Sequence, residues 1–334
     1  MGRLALHPII LAKREQLHNQ AARRPPRKRK KPEPRPESSD DEKDDGKVPT
    51  DLAIKPINTS KDKIKQPKLA QHENMYIAPI GSSVLISGKS GSGKSTLLVN
   101  LLKDKRFYKG FFKRIFWISP TANGDDVQKS LGIPPKDVFT DLEEAPEILS
   151  TIINAQQAKL DEGDGAHTID QYAIVFDDII GDTTFMNSPE FTKCFYQVRH
   201  INCTTFVCTQ HFKRVPRVCR LQANFIHYFQ GSQSEVDQLV EEFSPPMYTK
   251  NEFRQLVHDA TKDKFAFLTI NMKLGWDKRF RKNLEHIIPM TKLYGDVSNE
   301  QTAPAQDGTD EQSSGQQGLA TGEGTDGEGA SGTG

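Results

Sequence analysis

The sequence lacks a long apolar run and has few cysteines. No stretch of about 18 apolar residues occurs in its 334 residues, so we expect no membrane-spanning helix and no membrane partner. The apolar run HPIILA is too short for a secretory signal and is followed by charged residues. The four cysteines form no CxxC pair, which argues against a zinc site and predicts core thiols in a reducing compartment.

Charge is distributed unevenly, although the formal net charge is only +1. Residues 23–31 (RRPPRKRKK) carry seven cations and precede the acidic stretch ESSDDEKDD, whereas residues 293–334 carry eight acids and no Lys or Arg. Neither segment has the apolar side chains that a core requires, so residues 1–50 and 293–334 are predicted to be disordered. Residues 23–31 are interpreted as a nuclear import signal for an import receptor, with a nucleic-acid tether or a solubilising charge run as alternatives.

The middle of the chain has the pattern of one folded domain. After a linker and lead-in at 51–80, residues 81–292 alternate short apolar runs with longer amphipathic stretches, which predicts an α/β fold with a mostly parallel central sheet covered by helices. Strands are expected at 83–87, 114–119, 172–176, 204–209, 224–229 and 264–270. Helices are expected at 94–103, 144–159, 189–198, 234–243 and 250–262.

A phosphate-binding motif joins the first predicted strand to the first helix. The stretch GKSGSGKS at 88–95 fits G-x-x-x-x-G-K-[ST], a loop whose glycines let backbone N–H groups wrap phosphates. Lys94 is predicted to reach the β- and γ-phosphates of ATP and Ser95 to bind Mg²⁺, whereas Lys89 is either a second phosphate contact or an exposed side chain. The residues assigned to the nucleotide are Gly88, Lys89, Ser90, Gly91, Ser92, Gly93, Lys94, Ser95 and Thr96.

Polar residues follow two further predicted strands. YAIVFDD ends in Asp177 and Asp178, at the carboxyl edge where α/β sheets bind ligands. Asp177 is predicted to hold Mg²⁺ through water, and Asp178 to orient or deprotonate the attacking water. Gln210, after strand 204–209, is predicted to contact the γ-phosphate or that water. A solvated acidic turn and a solvated strand end are the alternatives.

The spacing of these motifs separates the classes of phosphate-binding-loop protein. A predicted strand intervenes between the loop and Asp177, and no NKxD-like guanine motif occurs, which argues against a compact GTPase. A small-molecule kinase would need an arginine-rich lid and no second acid beside the magnesium acid, and the sequence does not clearly meet either condition. The pattern therefore favours an ATPase with an inserted strand.

Taken in order, GKSGSGKST, IVFDD, RHINCTTFVCTQ and LQANFIHYF resemble the FtsK/HerA superfamily of DNA-pumping ATPases. The likeness, over residues 82–229, is strongest to the genome-packaging ATPases of poxviruses, giant viruses, virophages and Polinton/Maverick-type elements. The family's arginine before the sensor strand, glutamine at its tip and asparagine opening the next strand match Arg199, Gln210 and Asn224. The chain departs from the pattern at Asp178, where many relatives carry Glu.

This resemblance implies a RecA-like fold and a homo-oligomeric ring, expected as a hexamer, with ATP sites between subunits. A neighbour's arginine would complete each site, and Arg199 is the first candidate for this catalytic role, ahead of Arg217 and Arg220. The alternative for each is a surface or ion-paired arginine.

The resemblance also implies the partners and the cellular role. The partners are double-stranded DNA and capsid or portal-vertex proteins, in the host nucleus or the virion, and the function is ATP-driven packaging of a viral or virus-like genome. A nuclear helicase or remodelling ATPase and a nucleotide-dependent capsid-assembly factor are the rival functions. The stretch KDKRFYKGFFKR at 103–114 is a candidate DNA contact, or a helix-to-strand connection with its aromatic side chains turned inward.

Overall fold

A computed structural model of the chain describes residues 64–122, 126–163 and 165–290. The segments predicted to be disordered, 1–50 and 293–334, and the proposed import signal at 23–31 therefore lie outside the described residues. In the described part of the chain, no helix combines the length and the apolar character needed to cross a bilayer.

The described residues form one sheet with helices on both faces. Its strands are β1 (Ser83–Ser87), β2 (Arg114–Ile118), β3 (Val138–Phe139), β4 (Tyr172–Asp177), β5 (Cys203–Thr209), β6 (Phe225–Phe229), β7 (Phe267–Asn271), β8 (Phe280–Lys282) and β9 (His286–Ile287). The helices are α1 (Lys68–Gln71), α2 (Lys94–Lys103), α3 (Asp126–Lys129), α4 (Ala145–Glu162), α5 (Thr183–Met186), α6 (Pro189–Tyr196), α7 (Arg217–Gln222), α8 (Gln233–Phe243), α9 (Lys250–Thr261) and α10 (Trp276–Arg279).

The sheet has the order β3-β2-β4-β5-β1-β6-β7-β8-β9. The pairs from β3 through β6 are parallel, while the pairs β6-β7, β7-β8 and β8-β9 are antiparallel. The predicted mostly parallel α/β fold is therefore confirmed, and the strand expected at 264–270 begins three residues later and runs against its neighbour. A run of apolar residues encodes burial but not strand direction.

Both faces of the central strands are buried, because each is covered by helices. On one face, Leu85, Phe176 and Val207 join a core with α4, α6, α8 and α9. On the other, Ile86 and Phe206 pack with α2. Strands buried on two sides read as continuous apolar runs, which is why the central strands could be predicted from the sequence.

Residues 64–80, within the range predicted as linker and lead-in, pack onto the domain. Ile77 and Ala78 are buried, and the Tyr108 hydroxyl donates a hydrogen bond to the Ala78 carbonyl at 2.6 Å. The buried Arg281 guanidinium donates to the carbonyl oxygens of Asn74 and Met75. The packed structure therefore starts before residue 81.

The four cysteines are buried and form no disulfide, as predicted for core thiols. Burial raises the pKa of Cys203 and Cys219 to about 12. Their thiols therefore stay protonated at neutral pH and are poor nucleophiles.

Candidate functional site

The loop between β1 and α2 has the geometry of a phosphate cradle. Gly93, the N-cap of α2, has a φ of 104°, which side-chain-bearing residues rarely adopt. At Gly88, a Cβ atom would lie 2.5 Å from the Cβ of Phe229, so only glycine fits. No side chain caps the N-terminus of α2, which leaves its first backbone N–H groups for an anion.

The Lys94 side chain is held inside this loop. It is buried, and its Nζ donates a hydrogen bond to the carbonyl oxygen of Lys89 at 3.0 Å. Burial lowers the pKa of the Lys94 ammonium, while the nearby Asp177 and Asp178 act in the opposite direction. A buried ammonium bonded to a backbone carbonyl is suited to bind an anion such as a phosphate.

The carboxyl ends of β4 and β5 bring three predicted residues together. Asp177 is the last residue of β4 and is largely buried, opposite Cys208 of the adjacent β5. Asp178 follows in the left-handed region, with a φ of 52°. The Gln210 amide Nε2, one residue beyond β5, donates to the Asp178 carboxylate Oδ1 at 3.2 Å. Because β4 and β5 are adjacent, the predicted catalytic base, Asp178, is hydrogen-bonded to Gln210, the residue predicted to contact the γ-phosphate or the attacking water.

A cleft of about 220 Å³ joins these strand ends to the loop. Its lining includes seven residues predicted for the site, namely Ser90, Gly91, Lys94, Ser95, Asp177, Asp178 and Gln210, and also Thr121, Cys208 and Thr209. Thr121 was not predicted for the site. It lies three residues beyond the end of β2, at the same edge of the sheet as Thr209, the last residue of β5. The signal that could have found it is the same one that identified Asp177, a polar residue just beyond an apolar strand.

Lys89 points away from this cleft. The side chain is exposed, and its Nζ donates to the Gln230 Oε1 at 2.8 Å, in the loop after β6. This contact favours the interpretation of Lys89 as an exposed side chain over a second phosphate contact.

Arg199 lies at the opposite edge of the sheet from the loop. It belongs to the turn Val198–His200 that precedes β5, whereas the phosphate loop follows the parallel β1. The seven residues of β5 span about 20 Å, so Arg199 cannot reach the cleft within the same chain. It is exposed, and its Nε donates to the His200 Nε2 at 3.1 Å.

The other two candidate arginines share one carboxylate. Arg220 is buried, donates from Nε and Nη2 to Glu242, and also donates to the Lys213 and Val215 carbonyl oxygens. The Arg217 Nε lies 3.6 Å from the same carboxylate, but its side chain is 73% exposed. The ion-paired interpretation therefore fits Arg220, whose side chain is buried and bonded to Glu242, while Arg217 stays accessible.

The stretch at 103–114 is a connection whose aromatic side chains turn inward. Tyr108 is buried, and its ring and that of Phe112 pack edge-on against Phe206 of β5. Two of its arginines are ion-paired, Arg106 with Asp104 and Arg114 with Asp137. This arrangement favours the connection over a dedicated DNA contact.

Asn224 has a structural contact at the amino edge of the sheet. Its Oδ1 accepts from the Ser83 backbone N–H at 3.1 Å, and its own N–H donates to the Ser83 carbonyl at 2.9 Å. These bonds fix the register of β6 against β1 and so help to position the loop that follows β1.

The chain is similar to a known protein family and, in its fold, to solved structures. The model of the family described as Poxvirus A32 protein matches residues 79–261. The genome packaging NTPase B204 from Sulfolobus turreted icosahedral virus 2, in complex with AMPPCP, is 14% identical, with a TM-score of 0.42 over 60% of this chain and 96% of that chain. EssC (ATPases 2 and 3) from Geobacillus thermodenitrificans is 11% identical, with a TM-score of 0.43 over 61% and 39% of the two chains. No curated protein matches the chain.

Proposed function

The chain belongs to the Poxvirus A32 protein family, and on this premise we propose that it is the ATP-driven motor that moves double-stranded viral DNA into a capsid. It is an ATPase of the FtsK/HerA type with a role in viral genome packaging. The observation that carries the proposal is the single cleft that brings together Lys94, Asp177, Asp178 and Gln210, while Arg199 lies at the far edge of the sheet.

The cleft supports binding of ATP with its γ-phosphate towards β4 and β5. Backbone N–H groups of the loop and the N-terminus of α2 would bind the phosphate oxygens, and Lys94 would neutralise their charge. Ser95 and Asp177 line the same cleft and offer the hydroxyl and carboxylate oxygens that Mg²⁺ prefers, so both fit a magnesium site. When bound, the ion neutralises charge on the β- and γ-phosphate oxygens.

Asp178 and Gln210 are placed to handle the attacking water. The hydrogen bond from Gln210 to Oδ1 leaves Oδ2 of Asp178 to accept a proton from water, and the Gln210 amide oxygen to accept a second hydrogen bond from it. As the water oxygen bonds to the γ-phosphorus, the bond from that phosphorus to the β–γ bridging oxygen breaks and ADP leaves. Asp178 takes up the released proton.

We assign Arg199 to the site of a neighbouring subunit in a ring. Within its own subunit the whole length of β5 separates it from the cleft, so any contact with a phosphate must be made in trans. A trans arginine stabilises charge on the transferred phosphoryl group and contributes ~10³ to 10⁵ in rate in enzymes that use one. A head-to-tail interface of this kind closes into a ring by rotation.

Subunit mixing tests this assignment of Arg199. Arg199→Ala and Lys94→Ala rings should each be inactive, but mixed rings should regain turnover, because an Arg199→Ala loop beside a Lys94→Ala neighbour forms one intact site. The matched control mixes Lys94→Ala with Asp178→Asn, where every site keeps a defect and no activity should return. If rings shown to mix regain no activity in the Arg199 experiment, the trans role is wrong.

Stimulation by DNA tests the motor function. Steady-state ATP turnover of the wild-type chain should rise with duplex DNA and not with single-stranded DNA of the same sequence. Turnover that no DNA changes would point to the capsid-assembly factor, and stimulation by single strands with strand separation would point to a helicase. Either of these results would overturn the packaging motor.

A further inference from the structure

A second cleft, of about 300 Å³, adjoins the phosphate site on its other side. Its lining comes from the phosphate loop (Lys89, Gly91 and Ser92), the last residue of β6 and the one after it (Phe229 and Gln230), and residues 261–266, which run from the end of α9 to the turn before β7. Gly91 lines both clefts, so the two border the same loop. The serine hydroxyl of Ser92 is buried here and has no hydrogen-bond partner among the described residues.

Phe265, on the wall of this cleft, is unusual in two respects. Its side chain is 57% exposed, and its backbone has a φ of 66°, in the left-handed region. That backbone conformation is unfavourable for a bulky residue, and the exposed ring gains little burial in return. An exposed aromatic side chain on an unfavourable backbone conformation, beside a ligand site, is a candidate for contact with that ligand.

The Phe265 ring lies next to the phosphate loop. A Cβ atom at Gly93 would lie 3.3 Å from Cδ1 of Phe265, so the ring lies against the start of α2 and stands beside the loop. The Lys264 ammonium lies 5.0 Å from the centre of the same ring. The ring thus packs near Gly93, while more than half of the side chain is exposed and the residue lines the cleft.

The direction of the bound nucleotide follows from the strand order. Because β4 and β5 lie on one side of β1, the γ-phosphate end of a nucleotide held by the loop would face Asp177, Asp178 and Gln210. Since the loop wraps the phosphates, the nucleoside end would leave on the opposite side, that of β6 and β7, where the second cleft lies.

We propose that this second cleft is the nucleoside pocket and that Phe265 stacks on the base of the bound nucleoside triphosphate, with the Ser92 hydroxyl and the Gln230 amide as its polar groups. This inference rests on the proposed function only for the binding of ATP, and does not require translocation of DNA. Stacking of a base on an aromatic side chain contributes ~1–3 kcal/mol per base.

Equilibrium binding to the full chain tests the pocket. Phe265→Ala should weaken ATP binding ~5- to 150-fold, the range that corresponds to the stacking energy, while binding of inorganic tripolyphosphate should not change. Phe265→Tyr is the matched control, because it keeps the ring and the same backbone demand, and its ATP affinity should stay within about twofold of wild type. Since the ring is exposed, both variants should fold, which thermal unfolding checks.

Two outcomes would overturn the pocket. ATP affinity unchanged in Phe265→Ala would show that the ring does not contact the base. An equal loss of ATP and tripolyphosphate binding would show that Phe265 acts only by shaping the loop through Gly93. Both outcomes can be distinguished from failure of the proposed motor function. If only the motor function is wrong, the chain would still bind ATP, but DNA would not stimulate its ATP turnover.

Discussion

Replacing Lys94 with alanine is expected to reduce ATP turnover by at least ~10²- to 10³-fold, the loss typical when one group that stabilises developing charge is removed. The Lys94 ammonium is buried in the loop and hydrogen-bonded to the Lys89 carbonyl, so it is held at a fixed position in the loop. Without it, the β- and γ-phosphates would lose their fixed cation, and binding or correct placement of ATP would fail.

Steady-state turnover and nucleotide affinity measure this effect. The matched control is Lys103→Ala, which removes an exposed lysine from the last turn of the same helix α2 and should leave both quantities near wild type. Turnover of Lys94→Ala comparable with that of Lys103→Ala would contradict the placement of the phosphates in this loop.

Asp178→Asn is expected to keep ATP binding and to lower kcat by ~10²- to 10⁴-fold, the contribution typical of a general base. Asparagine has nearly the same shape, tolerates the left-handed backbone of residue 178 and can still accept the hydrogen bond from Gln210 through its amide oxygen. Asparagine cannot take the proton from water, so the rate of ATP hydrolysis should fall while ATP affinity stays unchanged.

Asp182→Asn is the matched control for this substitution. Asp182 caps the N-terminus of α5, accepting from the Phe185 N–H at 2.8 Å, and asparagine caps a helix equally well. Turnover of this control should stay near wild type. Equal turnover of Asp178→Asn and wild type would remove Asp178 from the catalytic role, and a loss of nucleotide binding would assign it to the assembly of the site.

The strands next to the site could be predicted because each is buried on both faces. β1 was expected at its observed bounds, and β2, β4, β5 and β6 within one residue at each end. β3, β8 and β9 have only two or three residues, and their pairing depends on neighbouring strands rather than on a local pattern. The antiparallel direction of β7 was likewise absent from the sequence pattern.

More of the phosphate site than of the proposed nucleoside pocket could be predicted from the sequence. The loop at 88–95 and Asp177 are local motifs, whose position after apolar strands fixes the edge at which they lie. The contact between Asp178 and Gln210 depends on the adjacency of β4 and β5, which no local motif encodes. Phe265 belongs to an apolar run that predicted a strand, so its exposed ring and left-handed backbone could not be expected.

Directed movement along DNA is the measurement that tests the packaging motor most directly. A third strand bound as a triplex near one end of a linear duplex reports a motor that reaches it, because passage along the duplex displaces the strand. The wild-type chain with ATP should displace it, whereas Lys94→Ala with ATP, or wild type without ATP, should not. ATP hydrolysis by the wild-type chain on this duplex with the third strand left in place would contradict the account.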